Sequence, residues 1–129
     1  MLIIDTFLGL TKEKGLGLFS NDFLKKGTTY WIRNEKFDKI IYPDVLNCFH
    51  QLQQEFIIKY GFLEITGNWY LCTDNGKYCN HSDHPNTSNI YDANGLLLKC
   101  QTTTNIEKNS EILCNYKELC QSCRIVLPF

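Results

Sequence analysis

The most constraining feature of this 129-residue sequence is one stretch of helical periodicity set among many short strand-like runs. Residues 43–61, PDVLNCFHQLQQEFIIKYG, carry apolar side chains at helical spacing. This stretch opens with Pro-Asp, which suits a first helical turn, and ends at Gly61, which suits the position just past a helix. The other runs are short, rich in β-branched and aromatic residues, and bounded by turn residues. The pattern predicts an α+β domain that is mainly β, with one main helix.

Seven segments outside the helix are predicted as strands. Five are residues 2–7, the run that follows the Lys-Lys-Gly turn within 23–33, 62–65, 69–73 and 112–116, and the other two form a hairpin around Ala-Asn-Gly at 93–95. The sequence shows no internal repeat and no linker, so we expect a single domain over residues 1–129.

Composition narrows the class of protein. The chain is 43% hydrophobic and 13% aromatic with a net charge of -1, which indicates a globular protein without a basic nucleic-acid surface. No apolar run has the length of a membrane span, and the N-terminus lacks the basic region of a signal peptide. Seven cysteines, an odd number, favour free thiols in a reducing, intracellular compartment, which is the cytoplasm, or the nucleus for a eukaryotic or viral protein.

Residues 77–89, KYCNHSDHPNTSN, concentrate side chains that ligate metals or act in catalysis. The candidate ligands of a zinc site are Cys79, His81, His84, Cys114 and the Cys120-x-x-Cys123 pair, but a second close cysteine pair is missing. A Cys79–His81 nucleophile pair is conceivable, because residues two apart on a strand share a face. Nothing in the sequence marks an oxyanion hole for that pair or for a triad built from Ser82 and Asp83.

The remaining candidates have simpler explanations. Cys48, Cys72, Cys100 and Cys114 fall in the predicted helix or on apolar strands, where a thiol packs as a small hydrophobic group. His50 falls in the predicted helix, off its apolar stripe, and is expected on the surface. The Lys-Gly-Leu-Gly turn at 14–17 would let a ligand approach the backbone, but it lacks the full dinucleotide-binding fingerprint.

Taken in order, three segments resemble the motifs of one family. KGLGLFSNDFLKKGT (14–28), NHSDHPNT (80–87) and IEKNSEILCNY (106–116) resemble the glycine-rich opening, the Asn-His-Ser core and the closing tyrosine motif of SET domains. The resemblance covers residues 10–116 and is nearest to the compact, free-standing SET proteins of bacteria and viruses. It implies small twisted sheets with a knot-like crossing of the core motif and the final strand. It also implies a SET domain without a preceding domain and with a short tail, residues 117–129.

The resemblance further implies transfer of a methyl group from S-adenosyl-L-methionine to a lysine of a protein substrate, histone or non-histone. Tyr116 would be the catalytic residue. The cofactor would be held by the glycine turn and the core motif, namely Lys14, Gly15, Leu16, Gly17, Asn80 and His81. His81 would act mainly through its backbone. The candidates for a lysine channel are Trp31, Tyr60 and Cys114, with Tyr30, Trp69 and Tyr78 as further aromatic candidates.

Two departures from the family pattern change these expectations. Cys114 replaces the Phe or Tyr that often limits the number of methyl groups added, which favours higher methylation states. Asp83 replaces the cysteine that many histone-directed relatives use for zinc, so no metal is expected. The near-neutral charge gives no electrostatic reason to prefer basic histone tails, and neither a membrane nor a direct nucleic-acid partner is expected. The alternatives are an inactive SET-fold interaction module and a small zinc-binding structural protein that uses Cys120 and Cys123.

Overall fold

A computed structural model describes residues 1–119 of the chain. The strands are β1 (Thr6–Leu10), β2 (Leu16–Ser20), β3 (Thr29–Ile32), β4 (Lys39–Ile41), β5 (Phe62–Leu63), β6 (Trp69–Leu71), β7 (Asn80–His81), β8 (Thr87–Tyr91), β9 (Leu97–Thr102) and β10 (Leu113–Cys114). The α-helices are α1 (Pro43–Leu46), α2 (Gln51–Tyr60) and α3 (Tyr116–Leu119), and a 3-10 helix spans Asn75–Tyr78. Within these residues no helix is long and apolar enough to cross a membrane.

Within residues 1–119 the strands form four small sheets. Three are antiparallel, with the orders β1-β2, β4-β6-β5 and β3-β9-β8, and the fourth is the parallel pair β7 and β10. That pair aligns Leu113 with Asn80 and Cys114 with His81, so the closing segment lies beside the core motif. The predicted class, a mainly β arrangement of small sheets with few helices, is confirmed.

The predicted 43–61 helix is broken in the middle. α1 ends at Leu46 and α2 begins at Gln51. His50 caps α2, because its Nδ1 accepts the Leu52 N–H at 3.2 Å while its own N–H donates to Gln53 Oε1 at 3.1 Å. This capping box satisfies backbone donors that a continuous helix would have bonded internally. The prediction of His50 within a helix was therefore wrong.

Two other predictions along the chain need correction. Cys48 lies between the two helices and is exposed, so it is not a buried thiol. The first strand begins at Thr6 instead of residue 2, because its ladder is set by pairing with β2 from Thr6↔Ser20 to Leu10↔Leu16. The hairpin of β8 and β9 is confirmed, and Gly95 in its turn has φ +81, a conformation that glycine adopts without strain.

The closing motif is tied to the glycine-rich opening by two isolated bridges, Phe19↔Glu111 and Leu24↔Ile106. Asn109, in the closing motif, has φ +65, a left-handed conformation that asparagine adopts more readily than most residues. Together with the pairing of β7 and β10, these contacts bring three distant segments of sequence to one place.

The buried core lies between the β3-β9-β8 and β4-β6-β5 sheets and the β2 strand. Trp31 packs edge-on against Tyr70 with ring centroids 5.8 Å apart, and both are almost fully buried. Leu18, Ile106 and Ile112 complete the same cluster. One side of this core forms a wall of the cavity described below.

Candidate active site

The turn between β1 and β2 carries the first group of predicted site residues. Its two ends are joined by the Thr11 N–H, which donates to the Gly15 carbonyl at 2.8 Å, and Gly15 has φ +68. The Lys14 ammonium reaches across to the backbone carbonyl of His81. Leu16 remains 44% exposed beside that contact. The glycine turn and the core motif therefore form one continuous surface.

Asn80, in the core motif, also contacts the glycine turn. Its Nδ2 donates to the Leu16 carbonyl and to Glu111 Oε2, both at 3.0 Å. A Cβ at Gly17 would lie 2.7 Å from Glu111 Oε2 and 2.8 Å from Thr11 Cγ2, so any larger residue must displace these side chains. Glycine at position 17 leaves the carboxylate of Glu111 in place to hold Asn80.

His81 contributes its imidazole as well as its backbone. Nδ1 accepts the Tyr116 backbone N–H at 3.0 Å, and Nε2 lies 3.2 Å from Asp83 Oδ1. Because Nδ1 accepts, the ring proton lies on Nε2 and faces Asp83. The positive charge of Lys117 and the hydrogen bond from His81 lower the pKa of Asp83. The sequence predicts that His81 acts mainly through its backbone, and the structure gives its ring a hydrogen bond with the Tyr116 N–H as well.

The Tyr116 hydroxyl donates to the Cys79 backbone carbonyl at 2.5 Å. Burial is the main cause that raises the pKa of Tyr116 well above the usual range of a phenol, and neighbouring Cys114 adds to the shift. The side chain therefore stays protonated in ordinary conditions. It can orient a partner through hydrogen bonds, but it cannot act as a general base.

A cavity of about 90 Å³ opens next to the Tyr116 side chain. This volume holds several water molecules or an alkyl chain. Its lining includes Tyr116, Cys114 and Tyr60, and the buried Trp31 and Tyr30 form a wall from the core. Three channel candidates, Trp31, Tyr60 and Cys114, therefore share one cavity.

The other aromatic candidates are placed differently. Tyr78 packs edge-on against Tyr60 with ring centroids 5.4 Å apart and supports the cavity from outside. Trp69 lies on β6 and, like Tyr78, is not part of the cavity lining. Its ring packs near Gly61, where a Cβ would lie 3.5 Å from Trp69 Cε3.

Four thiols surround the cavity, and their chemistry argues against nucleophilic catalysis. Burial raises the pKa of Cys72 and of Cys100 to about 12. A hydrogen bond with Cys114, together with desolvation, raises the pKa of Cys79 well above its usual range. A thiol must ionise to attack or to ligate zinc, and the His81 nitrogen that could act as a base already accepts the Tyr116 N–H. The Cys79–His81 nucleophile pair is thus unsupported.

The zinc-site alternative is also unsupported within residues 1–119. No group of three His, Cys, Asp or Glu side chains in this range could hold a metal ion. Cys120 and Cys123, the predicted half-site, lie outside the described residues. So does the tail beyond Leu119 that follows the closing motif.

The SET-domain profile matches residues 15–117, which is most of the chain. The chain belongs to the SET-domain family. No curated protein matches it. Among solved structures, this SET domain resembles a candidate histone methyltransferase of Plasmodium falciparum, with 23% identity and a TM-score of 0.59, over 88% of this chain and 93% of that one.

This SET domain also resembles polycomb repressive complex 2 from Chaetomium thermophilum, at 21% identity and a TM-score of 0.68. The autoinhibited form of the ctPRC2 complex bound to S-adenosylmethionine gives 20% identity and a TM-score of 0.67. In both cases 88% of this chain is covered, but it spans only 15% of the matched chain. At these identities the structural likeness shows the fold alone.

Two participants in the site were missed by sequence reasoning. Glu111 holds Asn80, and the Cys79 carbonyl receives the Tyr116 hydroxyl. Glu111 lies inside the closing motif, so its position was a signal that could have identified it. The Cys79 carbonyl could not have been found, because a backbone acceptor leaves no mark in the sequence.

Proposed function

We propose that this SET domain transfers the methyl group of S-adenosyl-L-methionine to the side-chain amine of a lysine in a protein substrate. The observation that carries the proposal is the position of Tyr116. Its backbone N–H is bonded to the ring of His81, next to the predicted cofactor surface, while its side chain lines the apolar cavity. Tyr116 therefore lies between the predicted cofactor surface and the cavity that would hold the substrate lysine, the two places that a methyl transfer needs.

The residues of the predicted cofactor surface fit the chemistry of this cofactor. A zwitterionic amino-acid end needs a cation, an amide and carbonyl acceptors close together. Lys14, Asn80 and the His81 carbonyl are joined in this way by the contacts described above. Leu16, 44% exposed beside them, offers apolar surface for the nucleoside part. The hydrogen bonds of Lys14 and Asn80 place these groups beside one another.

When bound, S-adenosyl-L-methionine supplies an electrophilic methyl group on a sulfonium. The chain must then present a neutral amine in line with that methyl group. The cavity walls favour the neutral amine, because burial in apolar surroundings lowers the pKa of an amine. The Tyr116 hydroxyl, fixed by the Cys79 carbonyl at 2.5 Å, is placed to restrict the orientation of the reacting groups. Because Tyr116 stays protonated, the lysine proton leaves to solvent before transfer.

Cys114 supports the higher methylation states expected from sequence. Its side chain is 3% exposed and lines the cavity, with Sγ 3.7 Å from the Asn80 carbonyl. A thiol in place of an aromatic ring leaves space beside the position of the amine. Methyl groups already on the nitrogen would occupy that space.

Binding of the cofactor tests the proposal independently of the substrate. A ligand that binds the native state stabilises it by about 2.7 kcal/mol at one hundred times its dissociation constant. We therefore expect S-adenosyl-L-methionine and its demethylated product to raise the melting temperature. Asn80→Ala should reduce that shift, whereas Lys36→Ala, on an exposed loop away from the site, should not. No shift at millimolar cofactor would contradict the proposal.

A further inference from the structure

Two lysine side chains stand at the edge of the cavity, each above a tyrosine ring. Lys59 Nζ is 5.2 Å from the ring centroid of Tyr60, and Lys77 Nζ is 5.0 Å from that of Tyr78. The two rings are themselves in edge contact at 5.4 Å. Both ammonium groups thus belong to one patch, which we name the lysine–tyrosine rim (Lys59, Tyr60, Lys77 and Tyr78).

Neither ammonium group of this rim lies within ion-pair distance of a carboxylate of residues 1–119. Lys59 and Lys77 are the charged residues of the cavity lining, which contains no carboxylate among the residues that the structure describes. Lys77 Nζ donates to the backbone carbonyl of Asp74 at 3.1 Å, which leaves its charge in place. Glu55, one turn before Lys59 on α2, instead accepts from Gln51 at 3.0 Å. Among residues 1–119, neither Lys59 nor Lys77 forms an ion pair.

We propose that the lysine–tyrosine rim selects protein substrates whose target lysine is flanked by acidic residues. This inference rests on the proposed function, since it assumes that the substrate lysine enters the cavity beside Tyr60. Flanking Asp or Glu side chains would then lie near Lys59 and Lys77, whereas flanking Arg or Lys would be repelled. Charges at the rim of a binding site mainly change the rate of association and the discrimination between partners.

A positive rim is compatible with methyl transfer to the reacting lysine once its amine is neutral. Methyl transfer uses the neutral amine, and neighbouring positive charges favour the neutral form of an amine over its ammonium form. The rim therefore discriminates against positive charge that persists, such as a flanking guanidinium, but not against the amine that reacts. The aromatic surface of Tyr60, extended by Phe56 at 4.9 Å, remains available for the alkyl part of the substrate.

Two fluorescent peptides test this selectivity by binding. They share one central lysine and differ only in carrying Glu or Arg on both sides of it. Fluorescence anisotropy is measured with the demethylated cofactor product present. We expect the Glu peptide to bind roughly three- to tenfold more tightly at low salt, because exposed ion pairs are individually weak. This preference should shrink as salt is added.

Charge reversal assigns the preference to the rim. The Lys59→Glu/Lys77→Glu double variant should prefer the Arg peptide. Lys36→Glu, which reverses one charge at an exposed position outside the cavity lining, should behave as wild type. Equal binding of both peptides, tighter binding of the Arg peptide to wild type, absence of binding by either peptide, or an unchanged preference in the double variant would overturn the inference.

The test separates this inference from the proposed function. Tight binding of the Glu peptide without methyl transfer would support the rim and count against catalysis. Methyl transfer that favours the Arg peptide would support catalysis and overturn the rim.

Discussion

The Nδ1 of His81 accepts the backbone N–H of Tyr116 at 3.0 Å. This contact crosses between the core motif and the helix that follows the last strand, which are far apart in sequence. It fixes the start of α3, and with it the direction in which the Tyr116 ring enters the cavity. An imidazole in the cofactor surface thereby positions the residue predicted to be catalytic.

Replacing His81 tests this positioning role. In His81→Ala the Tyr116 N–H loses its acceptor, which should cost about 1–3 kcal/mol of stability. We expect kcat to fall more than KM rises, because the orientation of Tyr116 matters for transfer. Asp83→Asn keeps the Nδ1 contact and changes an exposed group, so it should stay within about twofold of wild type. Equal losses in both variants would show that the imidazole contact has no special role.

Gly17 and Glu111 should act as a unit. Gly17→Ala places a methyl group 2.7 Å from Glu111 Oε2, so the carboxylate must move away from Asn80. Glu111→Ala releases Asn80 directly. Each change should weaken cofactor binding on the order of tenfold, and the double variant should lose little more, since residues in contact are not additive. Calorimetric titration measures this, and unchanged affinity in both single variants would refute the coupling.

The free volume beside Cys114 should determine how many methyl groups are added to the lysine. We expect wild type to form di- or trimethyl-lysine and Cys114→Phe to stop at monomethyl-lysine, with Cys114→Ala keeping the wild-type products. Overpacking costs about 1–3 kcal/mol, so the Phe variant must be assayed well below its melting temperature. Mass spectrometry of the peptide over time gives the product states. Wild type that stops at the monomethyl product would disprove the hypothesis.

The buried thiols predict loss of stability in alkali. In the folded state the pKa of Cys72 and Cys100 rises from 9.0 to about 12, so between these values the folded chain keeps protons that the unfolded chain releases. Their contribution is complete below pH 9 and is lost as the pH rises toward 12.

Urea unfolding at pH 8 and pH 10 measures that loss. Cys72→Ala/Cys100→Ala should show a smaller difference between the two pH values than Cys48→Ala, whose thiol is exposed. The same pH dependence in both variants would rule out the buried thiols as its source.

The fold class could be predicted from sequence, because three motifs in a fixed order indicate a topology that local periodicity alone does not indicate. The sequence also indicated the residues that the structure brings together around Tyr116, although their roles stay predictions. Local periodicity failed at residues 47–50, where the His50 capping box competes with a continuous helix. It also misplaced the first strand, whose ends depend on a partner strand and not on its own composition. The rim lysines were missed because single surface lysines acquire meaning only from the cavity beside them.

The most direct test of the central claim is transfer of a labelled methyl group. Wild type and Tyr116→Phe are incubated with labelled S-adenosyl-L-methionine and lysine peptides, and cofactor binding is measured in parallel. We predict that wild type labels lysine, and that Tyr116→Phe binds the cofactor normally but transfers roughly 100-fold more slowly, the typical loss when one positioned hydrogen-bonding group is removed. Wild type that binds the cofactor yet labels no lysine, or a Phe variant as fast as wild type, would contradict the account.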